Sequence, residues 1–119
     1  KVWGDGKSIR DFAYSRDVAR AILLTSIRGT GKFKFLNIGS GKGISIKKLV
    51  ETFHEIVNFK SIFDKNKASG YSKRVLNMKN TKKILNYKPN YSLKEGLLET
   101  WKWYKNNSRQ SLKRKNYFK

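Results

Sequence analysis

The sequence contains no cysteine and a single histidine, and both shortages exclude whole classes of site. Without thiols the 119-residue chain can form neither disulfides nor thiolate metal centres, and His54 alone cannot anchor a zinc ion. No run of roughly 18 apolar residues is present, so the sequence predicts no membrane-spanning helix. The lack of cysteine fits a reducing compartment, and we expect a cytoplasmic protein without membrane partners.

Acidic residues are also scarce, since 8 Asp and Glu are outnumbered by 28 Lys and Arg, which leaves a net charge of +20. Such a field attracts any polyanion, including nucleic acid, anionic lipid and phosphorylated metabolites. The basic residues are spread along the chain, with one dense cluster at residues 113–115, and no nucleic-acid-binding motif accompanies them. Two interpretations stay open: charge on solvated faces, which is the commoner case, and a polyanion-binding surface.

The length and composition favour one modest folded domain. A chain of 119 residues with 38% hydrophobic and 13% aromatic residues can bury a core, but it is too short for two domains. Because the chain begins with KVWG rather than with methionine, we expect it to be a fragment of a longer protein.

Two helices are predicted in the first half of the chain. Apolar periodicity predicts one helix over 15–28, which is followed by two glycines. Ser45 is a good N-cap for a second helix that continues to about residue 57 and buries an apolar stripe, with His54 half-exposed beside it.

Two further helices are predicted in the second half. A short helix capped by Asn80 or Thr81 is expected to end at Leu85, with Asn86 in the left-handed conformation. The pattern SLKE at residues 92–95 is a capping box, and an amphipathic helix follows it.

Short strands are expected between the helices, and the first ten residues are predicted to form a loop. The predicted strand segments are 11–14, 32–38, 61–64 and 74–78. Alternation within the second segment predicts that Phe33, Phe35 and Asn37 face inward. The fold class is therefore α/β, a small mixed domain over residues 1–105, followed by a flexible basic tail over 106–119.

The stretch NIGSGKGISI, residues 37–46, invites comparison with phosphate-binding loops because glycines precede a predicted helix. A Walker loop requires G-x-x-x-x-G-K-[ST], but Gly39 and Gly43 are too close and Ile44 follows where lysine is needed. The dinucleotide fingerprint G-x-G-x-x-G would require glycine at position 44. We therefore predict a tight turn that permits close packing, not a phosphate-binding loop.

Three other stretches resemble one known family when taken together. They read VWGDGKSIRDFAYSRDVARAI (2–22), NIGSGKGISIKKLVE (37–51) and LNMKNTKKILNYKPNYSLKEGLLETWKWY (76–104). In this order they resemble motifs of the extended short-chain dehydrogenase/reductases, the NAD-dependent epimerase/dehydratase family, which act on nucleotide sugars. The aromatic Trp3 and the loop KASGYSKR (67–74) look most like the GDP-L-fucose synthases within that family.

The resemblance implies the carboxyl-terminal, substrate-binding part of a nucleotide-sugar epimerase or reductase. The family's Rossmann half, with its cofactor loop and catalytic Tyr-x-x-x-Lys pair, would lie upstream, and no tyrosine in this chain has lysine four residues later. We therefore expect no catalytic or cofactor-binding residue here, and NADP or NAD bound only in the complete enzyme. The implied partners are a nucleotide sugar, with a GDP-sugar favoured, the upstream Rossmann domain, and a second copy in a homodimer.

Site residues can be carried over from the family's motifs one at a time. Arg10 matches an arginine that contacts the nucleotide diphosphate, and Trp3 matches an aromatic residue lining the sugar-nucleotide pocket. Lys73 and Arg74 match a basic pair that could add phosphate contacts, and Ser69 stands where the fucose synthases often carry aspartate or threonine.

Each assignment has a structural alternative. Trp3 could be a core or lid aromatic, and Arg10 could form an ion pair with Asp11 or Asp17, two acids expected to hold the loop and the helix start. The basic pair could simply be solvated. For the chain as a whole, the alternatives are a UDP-sugar 4-epimerase or dehydratase of the same superfamily, and a non-catalytic polyanion-binding module.

The sequence also departs from the family's pattern at three positions. Asn77 replaces a usual aspartate, Asn86 a usual glycine and Ala68 a common proline. These changes weaken the assignment to the GDP-L-fucose synthases more than the assignment to the superfamily.

Overall fold

The computed structural model of the chain describes residues 1–28, 31 and 35–112, with side chains described through residue 108. Within those residues the helices are α1 Ser15–Arg28, α2 Ile46–His54, α3 Lys79–Leu85 and α4 Leu93–Leu112. The strands are β1 Val2–Trp3, β2 Ile9–Asp11, β3 Gly43–Ser45, β4 Phe63–Asp64 and β5 Lys73–Arg74. The predicted small mixed α/β fold is confirmed.

Two small sheets join the N-terminal segment to strands from the middle of the chain. One pairs β1 with β4 in parallel, and the other has the order β3-β2-β5, with β2 antiparallel to β3 and parallel to β5. The central strand β2 therefore has neighbours that come from far along the sequence on both sides. This arrangement places the N-terminal segment beside the loop that connects β4 to β5.

The core of the described residues is small and lies between α1 and α3. It consists of Ala21, Met78, Leu85 and Tyr87, with Leu24, Leu36, Ile38 and Ile84 packed around it. Asn86 ends α3 in the left-handed conformation (φ 49°), as predicted, so that Tyr87 turns back into this core.

A second contact joins α2 to α4. Ser45 caps α2 as predicted, accepting a hydrogen bond from the backbone N–H of Lys48 at 3.1 Å. The ring of Phe53 on α2 lies edge-on to that of Trp101 on α4, with 5.9 Å between the centroids. Such aromatic pairs are stabilising beyond their buried area, and this one fixes the long helix against the shorter one.

Asp17 joins α1 to the segment that precedes α4. Its carboxylate is 2% exposed and accepts hydrogen bonds from the backbone N–H groups of Asn90, at 2.9 and 3.0 Å, and of Tyr91, at 3.0 Å. Arg20, one turn further along the helix, lies 3.4 Å from the same carboxylate. The prediction that this acid holds the structure rather than a ligand fits these contacts.

Several predicted boundaries are wrong, mostly because short strands leave little local signal. Residues 1–10 contain β1 and part of β2 rather than a continuous loop, and the strand predicted over 11–14 ends at Asp11. The helix α2 ends at His54 instead of residue 57. β5 begins at Lys73, one residue before its predicted segment, and ends at Arg74.

The predicted strand over 32–38 is also wrong where it is described. Residues 35–38 form no strand, and Phe35, predicted to face inward, is 80% exposed, while Leu36 and Ile38 pack on the core. Phe33 lies outside the described residues. In the described part of this segment, the residues that pack on the core are therefore those that the alternation predicted to face outward.

Helix α4 continues to Leu112, beyond the predicted domain end at residue 105. The remainder of the predicted basic tail, residues 113–119, lies outside the described residues. Among the helices that are described, none is both long and apolar enough to cross a lipid bilayer.

The predicted capping box at the start of α4 is confirmed and should make the helix sensitive to acid. Ser92 N–H donates to Glu95 Oε2 at 2.8 Å, and Glu95 N–H donates to Ser92 Oγ at 3.3 Å. The hydrogen bonds from Ser92 lower the pKa of the Glu95 carboxyl. Because the folded pKa is lowered, the stabilisation is complete above the unfolded value of about 4.3 and is lost as pH falls through the folded pKa.

We therefore expect wild type to melt at a higher temperature than Glu95→Gln above about pH 5, with the difference shrinking towards pH 3. Thermal unfolding followed by circular dichroism across this range measures the effect. Glu51→Gln removes the same charge from the exposed surface of α2 and serves as the control. A difference between wild type and Glu95→Gln that stays constant with pH would contradict the role of the charged cap.

Candidate functional site

The register of β2 and β5 places two arginines side by side. Arg10 is the direct Cα partner of Arg74 in this parallel pair, and Ile9 is the partner of Lys73. Because paired residues share a face and successive residues alternate, Arg10 and Arg74 belong to one face of the sheet, whereas Lys73 belongs to the other. The structure thus places two of the predicted basic residues on one face of the sheet and the third on the other, although Lys73 still lines a surface depression that borders the two arginines.

Carbonyl oxygens hold the Arg10 side chain in place. Its Nη1 donates to the backbone oxygen of Ile9 at 2.8 Å, and its Nη2 lies 3.4 Å from the backbone oxygen of Ser69. The Ser69 carbonyl also accepts from the hydroxyl of the buried Ser8 at 2.9 Å. These contacts fix the loop over residues 65–72 against β2, so that the predicted residue Ser69 does lie beside Arg10.

Two aromatic rings at this site each have a cation over one face. The Arg74 guanidinium carbon lies 5.3 Å from the centroid of Tyr71, and the Lys67 ammonium nitrogen lies 6.0 Å from that of Trp3. Trp3 is 67% exposed, so it is not a core residue, and its ring is accessible to a ligand. The sequence did not single out Tyr71 or Lys67, although both lie in the loop that carried the resemblance.

Neither arginine is neutralised by a carboxylate from the part of the chain that the structure describes. Among the ion pairs formed by the described residues, none includes Arg10 or Arg74. Asp11 and Asp17, the alternative ion-pair partners of Arg10, are engaged elsewhere. The alternative that Arg10 serves a structural ion pair is therefore not supported by the contacts.

The glycine turn that follows Ile38 binds an acid of this chain. Asp11 Oδ1 accepts from the N–H of Ser40 at 2.8 Å and from its hydroxyl at 2.5 Å, and Asp11 Oδ2 accepts from the N–H of Gly41 at 3.0 Å. Asp11 Oδ2 also lies 3.3 Å from the N–H of Leu76. Because these donors already have an anionic partner, the turn is not available to a phosphate, in agreement with the sequence analysis.

A surface depression of about 460 Å³ borders the two arginines, and it is lined by Arg10, Asp11, Lys73, Arg74, Val75 and Leu76. A larger depression of about 650 Å³ lies between the start of α1 and α4 and includes none of the predicted site residues. The described residues contain no group of three or more acidic or histidine side chains placed to hold a metal ion. The arrangement around Arg10 is thus a cationic and aromatic surface suited to a phosphorylated, partly flat ligand.

The comparisons with known proteins agree with the family resemblance. Residues 1–39 match the NAD dependent epimerase/dehydratase family. The chain is 35% identical over 108 residues to probable GDP-L-fucose synthase 1 of Oryza sativa subsp. japonica, across 89% of this chain and 32% of the rice protein. The chain therefore spans about a third of the length of this relative.

Solved structures of epimerases also match most of this chain over about a third of their own length. An epimerase from Methanothermobacter thermautotrophicus superposes with a TM-score of 0.82 at 21% identity, over 94% of this chain and 34% of that one, which is a likeness of fold. The UDP-glucose 4-epimerase of Thermotoga maritima, solved with UDP-glucose, gives a TM-score of 0.70 at 29% identity over 95% of this chain and 36% of that one.

Proposed function

We propose that this chain is a member of the NAD dependent epimerase/dehydratase family and that it is the substrate-binding part of a longer nucleotide-sugar epimerase or reductase. Its task would be to bind the diphosphate and sugar portions of the substrate and to hold them for chemistry carried out by residues outside this chain. Catalysis benefits from such positioning because it removes the entropic cost of bringing the reactants together.

The observation that carries this proposal is the pair of arginines, which have no acidic partner among the described residues. Arg10 and Arg74 are register partners on one face of the sheet, and the contacts that hold them are carbonyl groups and an aromatic ring. Planar guanidinium groups offer paired N–H donors that match phosphate oxygens. Two such groups that keep their full charge form a site suited to a diphosphate.

The neighbouring residues extend the site towards the rest of a nucleotide sugar. The exposed ring of Trp3 offers a flat surface for a base or sugar, and Ser69, whose backbone carbonyl accepts from the Arg10 side chain, brings a polar residue to the same loop. Lys73 lies on the other face of the sheet, so we assign it a supporting electrostatic role at most. All five residues predicted from the sequence thus remain proposed substrate-binding residues, with unequal roles.

A GDP-sugar is the favoured substrate and a UDP-sugar is the alternative. The similarity to GDP-L-fucose synthases supports the first, and the similarity to the UDP-glucose 4-epimerase of Thermotoga maritima favours the second. The family is described as NAD dependent, so we expect a nicotinamide cofactor, NAD or NADP, in the complete enzyme. The glycine turn of this chain does not fit its diphosphate because Asp11 occupies the available N–H groups.

An exposed apolar face on α1 supports the proposal that the remaining part of the enzyme covers this domain. Ile22, Leu23 and Ile27 are between 58% and 77% exposed. Exposed apolar clusters of this kind are typical of surfaces that pack against another domain. We propose the upstream Rossmann domain as the occupant, while a homodimer of the complete enzyme and a cytoplasmic location rest on the sequence interpretation alone.

The central test is the replacement of Arg10 by alanine in the full chain. We expect the affinity for GDP, measured by isothermal titration calorimetry, to fall about 10- to 100-fold, because hydrogen bonds to a charged group are lost. Wild type should also prefer GDP to UDP if the GDP-sugar assignment is correct. A preference for UDP would instead favour the 4-epimerase alternative.

Arg16→Ala is the matched control because it removes the same charge from the larger depression, which includes none of the proposed site residues. The polyanion-binding alternative predicts that Arg10→Ala and Arg16→Ala weaken binding equally, that affinity falls steeply with salt, and that the base has no effect. Unchanged GDP affinity in Arg10→Ala would overturn the site assignment.

A further inference from the structure

Tyr71 is an exposed aromatic residue to which the proposed function assigns no separate role. Its side chain is 73% exposed, so burial cannot explain why a large ring stands at this position. The Arg74 guanidinium carbon lies 5.3 Å from the ring centroid, within the range of about 6 Å over which a cation is attracted to an aromatic face. The ring therefore contributes to the placement of Arg74.

Arg74 requires an attractive contact because of its position in the sheet. Its register partner is Arg10, and like charges at directly opposite positions repel each other. The net charge of +20 adds to this repulsion. Without a partner, a long side chain on an exposed strand would turn away from Arg10 and sample many rotamers.

The chemical nature of the group that contacts Arg74 decides whether Arg74 can still bind a phosphate. A carboxylate would bind Arg74 more strongly, but it would neutralise the charge and occupy N–H donors that a phosphate needs. The face of Tyr71 attracts the cation and leaves the in-plane N–H donors free. Arg10 is held on the same principle, since its partners are neutral carbonyl oxygens.

We propose that Tyr71 is a positioning residue that holds Arg74 beside Arg10, so that the two guanidinium groups together select a diphosphate over a monophosphate. This inference rests on the proposed function and specifies the ligand chemistry of the same site. One guanidinium can bind one phosphate group, so a monophosphate uses a single arginine. A diphosphate can bind both arginines, and it therefore binds more tightly when the second arginine is held in place.

The test compares GDP and GMP binding to the full chain by calorimetry for wild type, Tyr71→Leu and Tyr71→Phe. We expect Tyr71→Leu to weaken GDP binding roughly two- to fivefold, which corresponds to an exposed cation–π contact, and to leave GMP binding unchanged. Tyr71→Phe should behave as wild type because the aromatic face is kept. Unfolding temperatures should be equal, since the side chain is exposed.

A double-mutant cycle with Arg74→Ala separates positioning from a direct contact with the ligand. In the Arg74→Ala background, Tyr71→Leu should cause no further loss of GDP affinity, because the group that Tyr71 positions is absent. An equal loss in both backgrounds, or an equal loss for GDP and GMP, would overturn the inference.

The same measurements distinguish failure of the inference from failure of the proposed function. If Arg10→Ala weakens GDP binding but Tyr71→Leu does not, the diphosphate site stands and the role of Tyr71 is wrong. If Arg10→Ala leaves GDP binding unchanged, both are wrong.

Discussion

Replacing Asp17 by asparagine is expected to lower the free energy of unfolding by about 3 kcal/mol, because breaking a buried charged cluster leaves its partners unsatisfied. The carboxylate is almost fully buried and accepts from the backbone N–H groups of Asn90 and Tyr91, while Arg20 lies beside it. An amide of the same shape keeps one acceptor and presents an NH₂ group to donors. Equilibrium urea denaturation measures the loss.

Asp5→Asn is the matched control for this variant. It removes the same negative charge from an exposed position, where the carboxylate lies 3.8 Å from the Lys7 ammonium group. Exposed ion pairs contribute little, about 0 to 1 kcal/mol, so the control should remain close to wild type. Equal losses in the two variants would mean that net charge, rather than the buried hydrogen bonds of Asp17, governs stability.

Replacing Gly4 by alanine is expected to reduce both stability and ligand binding. Gly4 has a φ of +83°, and an added Cβ would lie 2.5 Å from the Cβ and 3.0 Å from the Cα of Ser69. The positive φ costs an L-residue roughly 1–2 kcal/mol, and the contact forces the Ser69 loop away from β1. Because that loop supplies a carbonyl to Arg10, GDP affinity should fall at least about tenfold, in line with the loss of a charged hydrogen bond.

Gly31→Ala separates the cost of placing alanine at a positive φ from the effect of the contact with Ser69. Gly31 also has a positive φ, +68°, but an added Cβ would meet no atom of the described residues within 4 Å. This control should show the conformational cost of about 1 kcal/mol without loss of GDP binding. Adding Ser69→Gly to Gly4→Ala removes the clashing Cβ and should restore part of the affinity. If the double variant binds GDP no better than Gly4→Ala, contact with Ser69 is not the cause.

The features that could be predicted from the sequence are those encoded by a few consecutive residues. The bounds of α1 follow from apolar periodicity, the capping box of α4 from Ser92 and Glu95, and the left-handed Asn86 from its place before an aromatic residue. Each depends on side chains that contact their own backbone within four residues. Tertiary structure has little opportunity to override such signals.

The strands and the details of the site depend on distant partners and could therefore be predicted less well. β1 and β5 are two residues each and exist only through pairing with segments more than sixty positions away, so they carry no periodicity of their own. The family resemblance identified Arg10 and Arg74, but not that they share a face while Lys73 does not. That distinction comes from the register of two strands, which no local pattern fixes.

The long-range contacts of Asp11 also have a consequence for the order in which the domain assembles. Its carboxylate binds backbone groups 29 and 65 residues further along the chain, on either side of β2. During synthesis β2 and β3 are made before β5, so we expect β2 to keep one open edge until β5 has been made. Contacts of such high sequence separation form slowly, and open strand edges promote aggregation. In a chain truncated before residue 73, the strand edge that carries Arg10 would stay unpaired. We expect this open edge to associate with other chains, so that the ligand site is not completed.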